Sequence, residues 1–92
     1  MRLTYRQTFT QDMAALPRGS LKDELIDALQ DLKEIDSVEG LLAYPSVKKL
    51  RGHNSHYRLR IENYRLGFRL ENDGSLTLLR FQDRGEIYKK FP

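Results

Sequence analysis

The segment that most constrains the fold runs from Tyr57 to Phe68 and reads YRLRIENYRLGF. Apolar and basic residues alternate on both sides of the Glu62-Asn63 pair, which is typical of a β-hairpin with a two-residue turn. One face of this hairpin is apolar and faces the core. The other face carries the basic residues Arg58, Arg60, Arg65 and Arg69.

The predicted register sets two arginines directly against each other. Arg60 faces Arg65 across the strand pair, and Arg58 faces Gly67, whose missing side chain leaves space beside it. Like charges in this position are destabilising, which favours a face that binds a polyanion. No acidic residue shares this face within the two strands. We interpret it as a phosphate-binding surface; the alternative is a solvated face whose arginines pair with nearby carboxylates.

Length and composition predict one domain, residues 1–92, with one modest core, since 39% of the residues are hydrophobic. The absence of cysteine excludes disulfides and thiolate metal sites. The first residues, MRLTYRQTFTQD, contain no apolar stretch long enough for a signal peptide or a membrane span. We therefore expect a cytoplasmic protein without a membrane partner.

The net charge of +3 conceals an asymmetry along the chain. Residues 1–45 hold five Lys and Arg against eight Asp and Glu, a net charge of −3. Residues 46–92 hold eleven against five, a net charge of +6. A basic half is typical of nucleic-acid binding, although many soluble domains are also basic on one side.

Periodicity predicts two helices in the first half. After a first strand at residues 2–6, a short helix capped by Thr8 or Thr10 carries Phe9, Met13 and Leu16 at helical spacing. Ser20, followed by Asp23, is the expected N-cap of a second helix. Its apolar stripe consists of Leu21, Leu25, Ala28, Leu29 and Leu32. Residues 35–46 are predicted to be a loop, with room for one helical turn.

The second half is predicted to consist of strands. These are Val47–Leu50, the hairpin, and Ser75–Gln82 after an Asn72-Asp73-Gly74 turn, followed by a tail at Arg84–Phe91 of one or two helical turns. The result is an α+β fold of order β-α-α-β-β-β. Its two N-terminal helices pack on one face of a small, mostly antiparallel sheet, and the arginines point to an open face.

The motif search excludes several chemistries. No glycine-rich phosphate loop and no Ser/His/Asp arrangement is present. His53 and His56 lack partners at metal-ligand spacing, so we expect no metal and no cofactor. The remaining arginines and Tyr88 suit phosphodiester chemistry on RNA, which supplies its own 2′-hydroxyl nucleophile. Arginine forks bind phosphate oxygens, and Tyr88 can stack on a base or donate a proton.

Four segments carry a resemblance to a known family: VKKLRG at 47–52, YRLRI at 57–61, NYRLGF at 63–68 and DRGEIYKKFP at 83–92. Together they resemble the RelE/ParE toxin superfamily, and within it the RelE-like mRNA interferases. Such enzymes cut mRNA in the ribosomal A site without a metal. The resemblance implies an antitoxin partner, mRNA on the ribosome as substrate, and operator DNA bound only through the antitoxin complex.

By position, the resemblance implies a set of catalytic residues in this chain. They are Arg58, Arg60, Arg65, Arg84 and Tyr88. A second set of residues is expected to contact RNA, namely Lys48, Lys49, Arg51, His56 and Arg69.

Two departures from the family pattern concern proton transfer. Some relatives have lysines at the positions of Arg58 and Arg60, and arginine cannot act as a general base. Many relatives also have a histidine where this chain has Asp83. Proton transfer would therefore depend on His56, Glu62 or Tyr88. The alternative is that base catalysis contributes little to the reaction.

Each assignment has an alternative. Arg65 can pair with Glu62, and Arg84 with Asp83 or Glu86, while Tyr88 can be a core aromatic residue of the tail. For the whole protein, the alternatives are a ParE-like inhibitor of DNA gyrase and an RNA-binding relative without catalysis.

Overall fold

Five strands form one sheet that is antiparallel except at one edge. A computed structural model describes all 92 residues. Its elements are β1 (Leu3–Tyr5), α1 (Gln7–Ala14), α2 (Ser20–Glu34), α3 (Val38–Ala43), β2 (Val47–Lys49), β3 (His56–Ile61), β4 (Tyr64–Leu70), β5 (Leu76–Asp83) and α4 (Arg84–Lys90). The strand order is β1-β5-β4-β3-β2, and β1 runs parallel to β5. None of the helices combines the length and the hydrophobicity that a membrane span requires.

The core lies between one face of the sheet and the N-terminal helices. Leu25 and Leu32 of α2 are fully buried there, as are Leu66 and Phe68 of β4. Phe9 of α1 joins the same cluster. The α+β fold with two N-terminal helices on one face of the sheet is therefore confirmed. β2 and α4 lie where a strand and a helical tail are predicted, and the order β-α-α-β-β-β has one strand fewer than the sheet.

The hairpin between β3 and β4 has the register that alternation predicts. Glu62 adopts a φ of 54°, the left-handed conformation expected at the first central residue of a two-residue hairpin turn. Because a slip by one residue would turn every core side chain to solvent, the pattern fixes the pairing. The observed pairs are Ile61 with Tyr64, Arg60 with Arg65, and Arg58 with Gly67.

The predicted helix caps are wrong. The residue before α1 is Arg6, and the residue before α2 is Gly19; neither makes a side-chain cap. The Thr8 hydroxyl instead donates to the Leu79 carbonyl at 2.6 Å, so a tertiary contact replaces the local cap. Thr10 lies within α1, and Ser20 is the first residue of α2 rather than its cap.

The segment predicted as a loop at 35–46 contains a short helix, α3. Ser37 caps it, since its hydroxyl oxygen accepts a hydrogen bond from the Gly40 backbone at 3.0 Å. Leu41 is fully buried and attaches this helix to the core. Six residues with an internal glycine give too little periodicity for a sequence-based prediction.

Helix α1 lies beside the part of β5 that has no strand partner on one side. This part exists because β1 is only three residues long and pairs only with Leu76–Leu78. Beyond that pairing, the Asp12 carboxylate accepts hydrogen bonds from Arg80 Nε at 2.9 Å, Phe81 N at 2.9 Å and Gln82 Nε2 at 2.6 Å. The side chain of Asp12 is only 7% exposed. The Asp12 carboxylate thus provides an acceptor for one backbone N–H of β5, at Phe81, where no neighbouring strand is paired.

The arginine face is not fully open, which corrects the prediction. Helix α4 lies over it, and the Phe91 ring occupies the space above Gly67. A Cβ placed on Gly67 would lie 2.7 Å from Phe91 Cδ1. The missing side chain therefore makes room for the chain's own aromatic residue and not for a phosphate.

This contact predicts a coupling between the two positions. Gly67→Ala forces the Phe91 ring to move, and we expect a loss of about 1 kcal/mol in unfolding free energy. In a Phe91→Ala background the same substitution has open space and is expected to be nearly neutral. Urea denaturation of the four proteins measures the coupling. Additive effects of the two substitutions would contradict the contact.

Candidate functional site

The basic face contains a cleft of about 540 Å³. All five residues predicted to be catalytic line it, together with Lys48, one of the residues expected to contact RNA. The full lining is Ser46, Lys48, Arg58, Arg60, Arg65, Arg84 and Tyr88. Folding thus brings side chains such as Arg58 and Tyr88, 30 positions apart along the chain, onto one concave surface.

Three elements place these side chains. Arg58 and Arg60 alternate on β3, and Arg65 on β4 lies directly opposite Arg60. The beginning of α4 is fixed to the hairpin turn, because Arg84 N donates to the Asn63 carbonyl at 2.8 Å. Asp83 caps this helix by accepting from Glu86 N at 3.0 Å. Arg84 therefore enters the cleft from the first turn of α4.

The cations of the cleft lack carboxylate partners. No Asp or Glu oxygen lies within 4.0 Å of the charged nitrogens of Lys48, Arg58, Arg60, Arg65 or Arg84. Elsewhere on the same face, Arg69 is paired with Glu71 and Arg80 with Asp12, each at 2.9 Å. The cleft is therefore an uncompensated concentration of positive charge.

The predicted alternatives for two of these arginines do not occur. Arg65 Nη1 donates to the backbone carbonyls of Tyr64 at 2.9 Å and of Glu62 at 3.3 Å, and not to the Glu62 carboxylate. Asp83 is used as the cap of α4, and Glu86 lies 3.7 Å from Lys89 and from Lys90 rather than beside Arg84.

Electrostatics in the cleft favour an anion. Burial lowers the pKa of Arg65, and the nearby charges of Arg60, Arg84 and Arg58 lower it further, while Tyr88 acts in the opposite direction. Arginine nevertheless remains charged at any physiological pH. A bound phosphate would relieve this repulsion among the guanidinium groups and accept their N–H donors.

Tyr88 is a surface residue of the cleft and not a core aromatic. It is 59% exposed, and its hydroxyl oxygen accepts a hydrogen bond from Arg58 Nη1 at 3.0 Å. The Arg58 guanidinium carbon lies 5.8 Å from the ring centroid, within cation–π range. The charge of Arg58 lowers the pKa of the Tyr88 hydroxyl, with a further contribution from Arg84.

This environment predicts a shifted titration. In a pH titration followed by NMR of isotope-labelled tyrosine rings, the Tyr88 signal should move at lower pH than that of free tyrosine. Tyr44 is the internal contrast, because burial and its hydrogen bond to Asp31 raise its pKa to about 12. Arg58→Met should raise the Tyr88 midpoint, since a cation favours the phenolate. An unchanged midpoint in Arg58→Met would contradict this account.

Some predicted residues lie outside the cleft. Glu62 lies in a separate groove beside α2, and His56 and Arg69 line a different basic cleft. Lys49 is opposite Tyr57, whose ring faces the core, and Arg51 lies in the turn after β2. Of the three groups considered for proton transfer, only Tyr88 lines the cleft.

Ser46 is a cleft residue that sequence reasoning misses. It adopts a positive φ of 71°, and its carbonyl accepts a hydrogen bond from Arg60 N at 3.2 Å. Its backbone therefore helps to hold the strand that carries Arg60. A serine after proline gives no periodic pattern that would reveal this role. No three His, Asp or Glu side chains converge as a metal site would require.

Several solved structures with a similar fold are toxin–antitoxin complexes, and others are toxins alone. The RelB-RelE complex from Methanococcus jannaschii includes a chain that is 26% identical, with a TM-score of 0.77 over 97% of this chain and 99% of that one. The RelE-RelB complex from Pyrococcus horikoshii gives 20% identity and a TM-score of 0.71 over 91% and 94%. The intact E. coli RelBE complex gives 16% and 0.67 over 89% and 94%.

Sequence comparison gives a family as well as a fold. No curated protein matches the chain significantly. Residues 3–88, nearly the whole length, match the family model described as the ParE toxin of the type II toxin-antitoxin system parDE. The chain therefore belongs to the ParE toxin family of type II toxin–antitoxin systems, within the RelE/ParE superfamily.

Proposed function

We propose that this toxin is a RelE-like endoribonuclease that cuts ribosome-bound mRNA in the cytoplasm without a metal and so inhibits translation. The observation that carries the proposal is the cleft of five unpaired cations with Tyr88 at its edge. A concave, uncompensated basic site fits a phosphodiester better than a neutral ligand. The cleft contains the residue set that the resemblance to RelE-like enzymes implies.

We assign the cleft residues different roles in the proposed reaction. The 2′-hydroxyl oxygen attacks the adjacent phosphorus, the bond from phosphorus to the 5′ oxygen breaks, and a 2′,3′-cyclic phosphate and a 5′-hydroxyl result. Arg60, Arg65 and Arg84 hold the phosphate and neutralise the charge that develops on its oxygens. Arg58 orients the phosphate or the nucleophile.

Proton transfer rests on Tyr88. The reaction takes a proton from the 2′-hydroxyl and returns one to the 5′ oxygen. We assign one of these transfers to Tyr88, and the support for this is that Arg58 both contacts its hydroxyl and lowers its pKa. Its exposed ring can also stack on a base of the bound strand.

The partner we propose is a cognate antitoxin. The M. jannaschii, P. horikoshii and E. coli relatives were solved with their antitoxins. A partner with acidic side chains over the basic face would neutralise it in the cell. Operator DNA would then be bound through the antitoxin and not by this chain.

A second candidate function follows from the family match. The matching model is described by the name ParE. The alternative considered from the sequence is a ParE-like toxin that binds DNA gyrase and cuts no RNA. The cleft favours the nuclease, since every position of the catalytic set is basic or tyrosine. A non-catalytic RNA-binding relative would have the same face but leave RNA intact.

Induced expression followed by primer extension on a cellular mRNA tests the proposal, with Arg65→Ala as the control. We expect new 5′ ends within coding sequence for the wild type and none for the variant. Intact mRNA with arrested growth would favour the gyrase inhibitor. Intact mRNA with normal growth would favour the non-catalytic relative.

A further inference from the structure

A second basic cleft of about 470 Å³ lies on the same face of the sheet, next to the C-terminal residues. Its charged side chains come from four different parts of the fold. They are Arg6 before α1, Arg69 on β4, Arg80 on β5 and Lys90 on α4. No Asp or Glu side chain is among the residues that line it, although the last residue, Pro92, is.

The two sheet arginines of this cleft are held from outside it. Arg80 is fixed by two hydrogen bonds to Asp12, through Nε and Nη2, and Arg69 by one to Glu71 through Nε. A guanidinium has five N–H donors, so both side chains keep donors that these bonds do not use. They are preorganised to receive another acceptor.

The other two cations are less constrained. Arg6 has no carboxylate within 4.0 Å, and Lys90 Nζ lies 3.7 Å from Glu86, a long and exposed pair of little energetic value. Burial and the neighbouring charges of His53 and Arg69 lower the pKa of His56, which disfavours its charged form.

The two clefts are parts of one basic surface that Phe91 divides. Arg58, Gly67 and Arg80 form a single row across three neighbouring strands. Arg58 lines the first cleft and Arg80 the second, and the Phe91 ring lies over Gly67 between them. Two strand spacings separate the arginine backbones by about 10 Å. About three stacked nucleotides span that distance.

We propose that the second cleft binds a backbone phosphate of the same RNA strand whose scissile phosphate occupies the first cleft. This inference rests on the proposed function, and it adds a second contact a few nucleotides away. The partly exposed Phe91 ring between the clefts offers a stacking surface for an intervening base, which suits a single strand. The strand therefore crosses the sheet over Phe91.

The test compares RNA strands that reach one cleft or both. Fully 2′-O-methylated RNA lacks the nucleophile, so binding is measured without cleavage. We would use one strand of two nucleotides, whose single internucleotide phosphate can occupy only one cleft, and one of about ten, at several salt concentrations. The variant is Arg6→Gln with Lys90→Gln, and the matched control is Arg18→Gln with Lys33→Gln, which removes the same charge from exposed positions away from both clefts.

We expect the variant to bind the long strand about tenfold more weakly and the short strand as the wild type does. The salt slope for the long strand should fall by about 0.7 for one lost phosphate contact. A variant that behaves like the control, or a wild type that binds both strands equally, would overturn the second site while leaving the proposed function intact. Failure of the wild type to bind either strand would also overturn the second site, while primer extension tests the proposed function independently.

Discussion

Arg65→Ala and Arg84→Ala should each reduce RNA cleavage by a factor of about 100 to 1,000, the usual cost of removing one positioned donor from a developing negative charge. Neither side chain has a carboxylate partner that its removal would strand. Arg65 also faces Arg60 directly, so its loss relieves a repulsion between like charges. The variants should therefore lose activity and remain folded.

Cleavage rates on ribosome-bound mRNA, together with thermal unfolding curves, separate the two effects. Arg2→Ala is the matched control, because Arg2 is exposed and bonded to Asp73 and lines no part of the cleft. We expect the control to cut RNA and to arrest growth as the wild type does. If both cleft variants remain fully toxic, the assigned site is wrong.

Asp12→Ala should be the most destabilising substitution of a polar residue. Asp12 receives hydrogen bonds from Arg80, Phe81 N and Gln82, and its side chain is 7% exposed. Its removal leaves the Arg80 guanidinium, 21% exposed, without its partner and a strand N–H without an acceptor. Breaking a buried pair in this way costs about 3–5 kcal/mol, against a total stability of about 5–15 kcal/mol for a domain.

Asp12→Asn is the informative comparison in a urea denaturation series. It keeps an oxygen for Phe81 N and loses the charge that pairs with Arg80, so its cost should be intermediate. The Asp12→Ala variant should also cut RNA more slowly, since β5 leads directly into Arg84. An unfolding free energy within about 0.5 kcal/mol of the wild type would contradict this role for Asp12.

The hairpin is predictable because its information is local. Alternation between Tyr57 and Phe68 allows only one register that buries the apolar side chains, and the observed pairs match it. The same alternation is enough to assign Arg58, Arg60 and Arg65 to one face. The resemblance to RelE-like toxins adds Arg84 and Tyr88, and both line the same cleft as the hairpin arginines.

The errors arise where a long-range contact replaces a local one. The position of Thr8 predicts a helix cap, but its hydroxyl bonds to Leu79, 71 residues away. Asp12 is one of eight acidic residues in residues 1–45, and nothing in the sequence distinguishes it from the others. Its structural role comes from its hydrogen bond with Arg80, which is distant in the chain. Only a loop with room for one helical turn is predicted where the helix at Val38–Ala43 forms, because its stability comes from burying Leu41 and not from its own pattern.

Periodicity and charge, both readable along the chain, are sufficient for the α+β class, the hairpin register and the basic face. They cannot specify which distant segments meet, because such contacts depend on packing between elements and leave no repeat in the sequence. Folding places Phe91 over Gly67 and Tyr88 beside Arg58, and it fixes β5 to α1 through Asp12. With these three contacts in place, the arginines that alternate along the strands lie in two separate clefts.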